Sequence, residues 1–398
     1  MNQHLNAPAR RPARLVLAGF GLAAALGLAG LLAQCQRRPR PAASRAESGG
    51  SQGARPAQTP SLAVKVEGHQ PATLAWHALD LPAPLAQLLT TGQWDQTPKQ
   101  FRVVTLSFLA DSCVGQAQRD PDLRDAARDC VRRCLELAQS TRPSSLDVRA
   151  AEEGLWLSHL NLILGASDVL GECLDSKRHQ EISAALARKS LRESTFHVPS
   201  YPDQPYRWPA DQSATLAGLA RYDRGHGTTL ARGPVQKWIE FIEQRAWDAS
   251  LQLPWSEATG RAKGAREPRG CALSWQTRYL REFAPALAVK WWQSYRTSFL
   301  VDALLLVGFR EWPAGRERPA DLDSGPIVRG LGAAATALGI GAARAMGDGV
   351  LAAQLEATAA AVESLGGAAA SRAASTMLAA AILRLGAFVP GSPPNVSL

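Results

Sequence analysis

The chain has 398 residues, 46% of them apolar, enough for one large core or two ordinary ones. Its 44 basic and 35 acidic residues leave a net charge of +9. The arginines are spread along the chain with no basic run interleaved with aromatics, which argues against a nucleic-acid partner. Six cysteines are too few for a disulfide scaffold, and no CxxC pair or Cys/His cluster suggests zinc, so neither a metal nor a cofactor is expected.

Residues 1–14 read as a short N-terminal tail. Residues 15–35 read as a transmembrane anchor or a lipoprotein-type signal. The stretch "LVLAGFGLAAALGLAGLLA" carries no charge and approaches the ~20 residues that span a bilayer. Arg10, Arg11 and Arg14 precede it; Arg37, Arg38 and Arg40 follow it. "LLAQC" resembles a lipoprotein processing box with Cys35 as the acylated residue, so both readings tether the chain to a membrane. Residues 36–70, rich in Pro, Ala, Ser, Gly and Gln, cannot bury a core and read as a disordered linker.

From 71 to 398 the apolar residues recur at three- and four-residue spacing, which predicts about eleven helices. Among them are "PKQFRVVTLSFLADSCVGQA", "EEGLWLSHLNLILGASDVLG", "ALAVKWWQSYRTSFLVDALL" and "GPIVRGLGAAATALGIGAARAMG". No strand or hairpin signal stands out. The expectation is an all-α domain of stacked helical hairpins, a solenoid or a closed α/α toroid. Cys130 and Cys134, four apart on one predicted helix, read as buried free thiols. "GLGAAA" (330–335) fits a dinucleotide fingerprint only loosely and reads as close helix packing inside an Ala/Gly helix.

Four segments place polar groups at helix ends or on apolar faces. In "LWLSHLNLILG", His159 shares a stripe with Leu155, Leu162 and Ile163 and points inward, either as a satisfied core residue or as a proton-transfer group. In "SYPDQPYRWPADQSATLAGLARYD" (200–223), Pro209 opens a helix and Asp211 can cap its first turn. Capping does not account for Tyr201, Tyr206, Arg207 and Trp208, a cluster suited to a hydroxylated, planar or anionic ligand. "EPRGCALSW" sets Arg269 before a helix, with Gly270 allowing backbone to approach a ligand. "GFREWPAGRERPADLDSGPIVRG" supplies Arg310, Trp312, Asp321 and Asp323, read either as caps or as cavity-lining groups. Carboxylates from separate segments, such as Asp211 and Asp323, are what acid/base chemistry at a C–O bond requires.

These residues make the chain resemble the linalool dehydratase/isomerase family, from about Thr97 to Asp348. The resemblance rests on "TPKQFRVV", "RDPDLRDAA", "HLNLILG", "ADQSATLAGLARYDRGHGTTL", "KWIEFIEQ", "ADLDSGPIVRGLG" and "AARAMGD", in that order. It implies an (α/α)6 toroid and lyase or isomerase chemistry behind a secretory or anchoring N-terminus. Of the family's catalytic residues only the histidine carries over, as His159. Asp211 stands where a cysteine would fall, "YPDQP" holds no cysteine, and Asp80 is the one near candidate for the family's N-terminal aspartate.

The expected protein is therefore a membrane-tethered toroid on the extracytoplasmic (periplasmic) side, acting by acid/base catalysis on a small hydroxylated molecule. His159, Asp211 and Asp323 are its expected catalytic groups. Tyr201, Tyr206, Arg207, Trp208, Arg269, Arg310, Trp312 and Asp321 are its expected substrate contacts. Two alternatives stand beside it: a glycosidase or polysaccharide lyase, and a non-catalytic ligand-binding or scaffold domain. The partners expected are the small-molecule substrate, the membrane and, in one reading, a second copy of the chain.

Overall fold

A computed structural model describes residues 75–262, 264–303, 306–365 and 377–390. The expected tail, anchor and linker, 1–14, 15–35 and 36–70, lie outside the described residues. Among those described, no helix is long and apolar enough to cross a membrane.

Among the described residues the protein is all-α apart from three short two-stranded ladders. The helices are α1 (Ala83–Thr91), α2 (Lys99–Arg119), α3 (Arg124–Ser140), α4 (Gly154–Val169), α5 (Ser176–Arg192), α6 (Pro209–His226), α7 (Arg232–Arg245), α8 (Gly270–Phe283), α9 (Pro285–Phe299), α10 (Ala333–Ala345), α11 (Gly349–Leu365) and α12 (Met377–Ala387). Even- and odd-numbered helices have different jobs. α4 is buried at every position from Gly154 to Ser167. Helices apolar on all sides belong inside a protein. α5 instead buries one stripe, His179, Ile182, Ser183, Leu186 and Ser190 among it, and turns Lys and Arg outward.

The even helices pack in sequence, α2 on α4, α4 on α6, α6 on α8, α8 on α10 and α10 on α12, and α12 returns to α2. They run in one direction, because early residues meet early residues: Ser158 Oγ lies 2.6 Å from Thr215 Oγ1. Late residues likewise meet late ones, Gly115 lying against Phe388 and Gly341 against Gly386. The even helices therefore present an N-terminal rim and a C-terminal rim, and the chemistry of the two differs.

The antiparallel ladders correct the expectation of a strandless chain. β1 (Trp247–Asp248) pairs with β2 (Leu253–Pro254), and β5 (Ile327–Val328) with β6 (Leu331–Gly332). β3 (Leu300–Ala303) pairs with β4 (Leu306–Phe309), Leu300 opposite Phe309. The segment "LVDA", read as the tail of a helix, is thus one strand of a hairpin; a mostly apolar run gives little period by which to tell the two apart. A single bridge, Arg310 to Leu331, joins the second and third ladders. The glycines of "GLGAAA" precede α10 rather than lying within it: Gly330 turns the β5–β6 hairpin at φ 84° and Gly332 ends β6. A second correction concerns sulfur. Cys130 is disulfide-bonded to Cys113, tying α3 to α2, while Cys134 is the buried free thiol.

Candidate functional site

The N-terminal rim gathers carboxylates. Trp208 precedes α6 without a capping bond from its side chain, Pro209 opens the helix, and Asp211 sits in the first turn. Asp211 does not cap. Its Oδ2 accepts a bond from Ser200 Oγ at 2.5 Å, in the chain that enters the helix. Protein surrounds the carboxyl, and burial pushes it up to about 7; the Ser200 bond opposes this, and the charge of Asp323 adds to it. The residue keeps some accessible surface, so it is enclosed yet reachable from the rim.

Asp323 comes to the same place from the β4–β5 connection. Burial raises its pKa, the Arg269 guanidinium at 3.9 Å opposes that, and Asp321 adds to it. Its side chain is 56% exposed although protein crowds it. Asp323 therefore stands at the solvent-facing edge of this rim. Tyr201 packs half-buried beside both aspartates, its phenol pushed up by burial and by the charges of Asp211, Asp323 and Glu153.

Arg269 organises the opposite side of the rim. It stands just before α8, and its Nε donates to Glu311 Oε1 at 2.5 Å. Its Nη2 donates to Asp321 Oδ1, and its guanidinium lies 5.1 Å from the ring centre of Trp312. Asp321 Oδ1 also accepts the backbone N–H groups of Asp323 (3.1 Å) and Ser324 (2.9 Å), which shapes the turn carrying Asp323. Glu311 is fully buried; burial raises it, Arg269 pulls it down, and the Cys271 thiol is a further neighbour of the carboxylate. Gly270 makes this packing possible, but the group it admits is not a ligand. A Cβ there would lie 2.0 Å from the Arg310 carbonyl oxygen, and its N–H donates to Glu311 O at 2.8 Å. Gly332 does the same for the Glu311 carboxylate, which a Cβ would meet at 2.7 Å.

The other expected residues go elsewhere. His159 is fully buried in α4, its Nδ1 2.6 Å from Ser107 Oγ and its ring edge-on to Phe108 and Trp275. Its Nε2 is buried with no partner. Burial lowers its pKa to about 3, so the ring is neutral, and the charges that act on it are Asp111, Arg278 and Arg221 rather than Asp211 or Asp323. Tyr206 and Trp208 lie against each other, ring centres 5.8 Å apart. Arg207 leaves the cluster: its Nη2 donates to Glu193 at 3.0 Å, and it lines an outer groove of about 810 Å³ with Phe241, Trp255 and Arg266. Arg310 spends its backbone on the bridge to Leu331, and its side chain reaches the Gly330 turn. Asp80, the family-based candidate, pairs with Arg384 of α12, and its backbone bonds Gln116 near the C-terminus of α2, far along the helices from Asp211. Glu311 and Cys271 belong to the rim and were not among the expected contacts. A buried acid followed by Trp-Pro, and a cysteine one residue after a helix-opening glycine, were the available signals.

The C-terminal rim holds a second buried acid. Asp111 of α2 accepts from Arg221 Nη1 at 2.6 Å and Nη2 at 3.0 Å, and from Arg278 Nη2. Burial raises the carboxyl, but the two guanidiniums outweigh it and hold it below its ordinary value. Glu282 takes the rest of Arg221, at 2.6 and 2.8 Å. A cavity of about 360 Å³ opens against this network.

No protein-family model matches the chain, and no curated protein matches it significantly.

Proposed function

We propose that the protein is a linalool dehydratase/isomerase-like enzyme that adds, removes or moves a hydroxyl group on a small molecule at the N-terminal rim. The fold proposed with it is an (α/α)6 toroid, supported by the return of α12 to α2 and by the burial of α4 on all sides. The observation that carries the chemistry is Asp211, closed in by protein, with the more exposed Asp323 and Tyr201 beside it. A carboxyl near neutrality holds a proton at working pH and can still give it away, the property a general acid needs.

In the proposed step Asp211 protonates the substrate hydroxyl, the C–O bond breaks, and water leaves. Asp323, whose charged form the Arg269 guanidinium favours, takes a proton from the neighbouring carbon as the double bond forms. Run backwards with water entering at another carbon, the same groups move the hydroxyl. His159, neutral and fully buried among Ser107, Phe108 and Trp275, is given no part in this step. The Cys113–Cys130 disulfide favours an oxidising compartment, in keeping with a tethered domain on the extracytoplasmic side.

The test is incubation of the full chain with small tertiary and allylic alcohols, linalool among them, in water labelled with heavy oxygen. Label entering the alcohol, or alkene forming, and the loss of either in Asp211→Asn at unchanged melting temperature, is the expected result. Turnover that survives Asp211→Asn would end this reading.

A further inference from the structure

The C-terminal ends of α4 and α6 bring together three side chains that the proposed reaction does not use. Asp168 lies in the last turn of α4, His179 in the first turn of α5, and His226 closes α6. Asp168 Oδ2 is 2.9 Å from His179 Nδ1 and 3.0 Å from His226 Nε2. One atom from each of the three residues lies within 4.8 Å of the others. We propose that Asp168, His179 and His226 form a binding site for a divalent cation of the zinc class, held by one carboxylate oxygen and two imidazole nitrogens.

Ligand chemistry comes first. Two imidazoles and a carboxylate are a donor set that borderline-soft cations such as zinc take, with a fourth position left to water. In a tetrahedral zinc site, metal–nitrogen bonds of about 2.0–2.1 Å set the donors roughly 3.3 Å apart. The two contacts to Asp168 Oδ2 are near that edge, so a small outward shift of the donors admits the ion.

The second observation concerns His179. It is 1% exposed, and among the described residues neither ring nitrogen has a well-aligned hydrogen-bond partner, although Asp168 Oδ2 is within 2.9 Å of Nδ1. Oδ2 of Asp168 is close to Nδ1 yet off the direction in which a ring N–H would point. A plain hydrogen-bonded His–Asp pair would align the two, and a buried polar group left without a partner is costly. A cation between them uses the Nδ1 lone pair and removes that cost.

The surroundings fix the rings. Tyr222 stacks on His226 with centroids 4.4 Å apart and stands edge-on to His179 at 4.8 Å. Gly225 keeps α6 close to α4: a Cβ there would lie 3.3 Å from Asp168 Oδ2. His226 is 22% exposed and the other two side chains nearly buried, so the ion enters from the His226 side. The site lies at the opposite ends of α4 and α6 from Asp211, so it clamps three helices rather than joining the proposed reaction.

The full chain, stripped with chelator and titrated with zinc by calorimetry and with cobalt by absorption, tests the site near neutral pH. The expected result is one saturable equivalent, a cobalt spectrum of tetrahedral type, and a higher melting temperature with metal. His226→Gln, at the partly exposed ligand, should stay folded by circular dichroism and weaken binding by at least the ~10–100-fold that loss of an outer-shell partner costs. Asp168→Asn should weaken it comparably if His226→Gln unfolds. No saturable binding, or binding untouched by either ligand substitution, would overturn the proposal.

Discussion

Asp111 and Asp211 are the same side chain, each closed in by protein on one of the even-numbered helices, and their surroundings drive them to opposite charge states. Burial raises both. At the C-terminal rim two buried guanidiniums grip Asp111 and reverse the effect. At the N-terminal rim Asp211 has one hydroxyl and a second carboxylate for company, and burial wins. Cations next to an acid make a structural ion cluster; their absence leaves an acid that can exchange a proton. Arg269, the nearest cation at the N-terminal rim, spends its shortest bonds on Glu311 and Asp321 and stands 3.9 Å from Asp323.

The largest effect expected is on Asp111. Asp111→Ala leaves Arg221 and Arg278 buried without their shared partner and should cost about 3–5 kcal/mol in denaturant unfolding. A loss under 1 kcal/mol would mean that the cluster is not structural. Next is Gly270→Ala, whose Cβ cannot coexist with the Arg310 carbonyl as placed. It should cost about 1–3 kcal/mol and disturb the hold of Arg269 on Glu311. If instead it stabilises, the close packing of the N-terminal rim is misplaced.

Stability against pH separates the two acids by sign. Asp211 has a raised folded pKa. Its contribution is fully present below the unfolded value near ~3.9 and is lost as pH rises through about 7. Asp111 has a lowered one, so its contribution is present above ~3.9 and lost as pH falls through its folded value. Asp211→Asn should therefore abolish a decline in stability between roughly pH 4 and 7 and leave acid unfolding intact. Because the buried His159, with its lowered pKa, adds a slope of opposite sign, the test is the difference: a pH dependence in that window that Asp211→Asn leaves unchanged contradicts the environment assigned to Asp211. The smallest effect is at Arg207, whose half-buried pair with Glu193 at the outer groove puts it away from Asp211. Arg207→Ala should move unfolding by less than about 1 kcal/mol and leave turnover unchanged; lost turnover would return it to the site.

Helices were legible because burial writes a period into the sequence. Amphipathic α5 shows its stripe, and α4 shows its full burial as near-continuous apolar residues. The β3–β4 hairpin was not legible, since both of its strands sit in one apolar run. The Cys113–Cys130 bond was hidden because its partners lie on different helices, and only the antiparallel packing of α2 on α3 brings them together. The polar cluster at 200–211 was visible as composition, but its division was not. Glu193 draws Arg207 outward and Ser200 draws Asp211 inward, and neither partner can be inferred from spacing. The same limit hid Asp168, His179 and His226, which belong to three helices and to no motif. For His159 the sequence showed the inward direction; its neighbours, Ser107 and the Asp111 cluster, come from other helices.

The most direct test of the contrast is a carboxyl-carbon NMR titration of the folded chain, with Asp111→Asn and Asp211→Asn used to assign the two signals. The account predicts one aspartate titrating near pH 7, absent from Asp211→Asn, and another still ionised below the ordinary aspartate range, absent from Asp111→Asn. An Asp211 signal that titrates at or below about 4, like an ordinary aspartate, would contradict it.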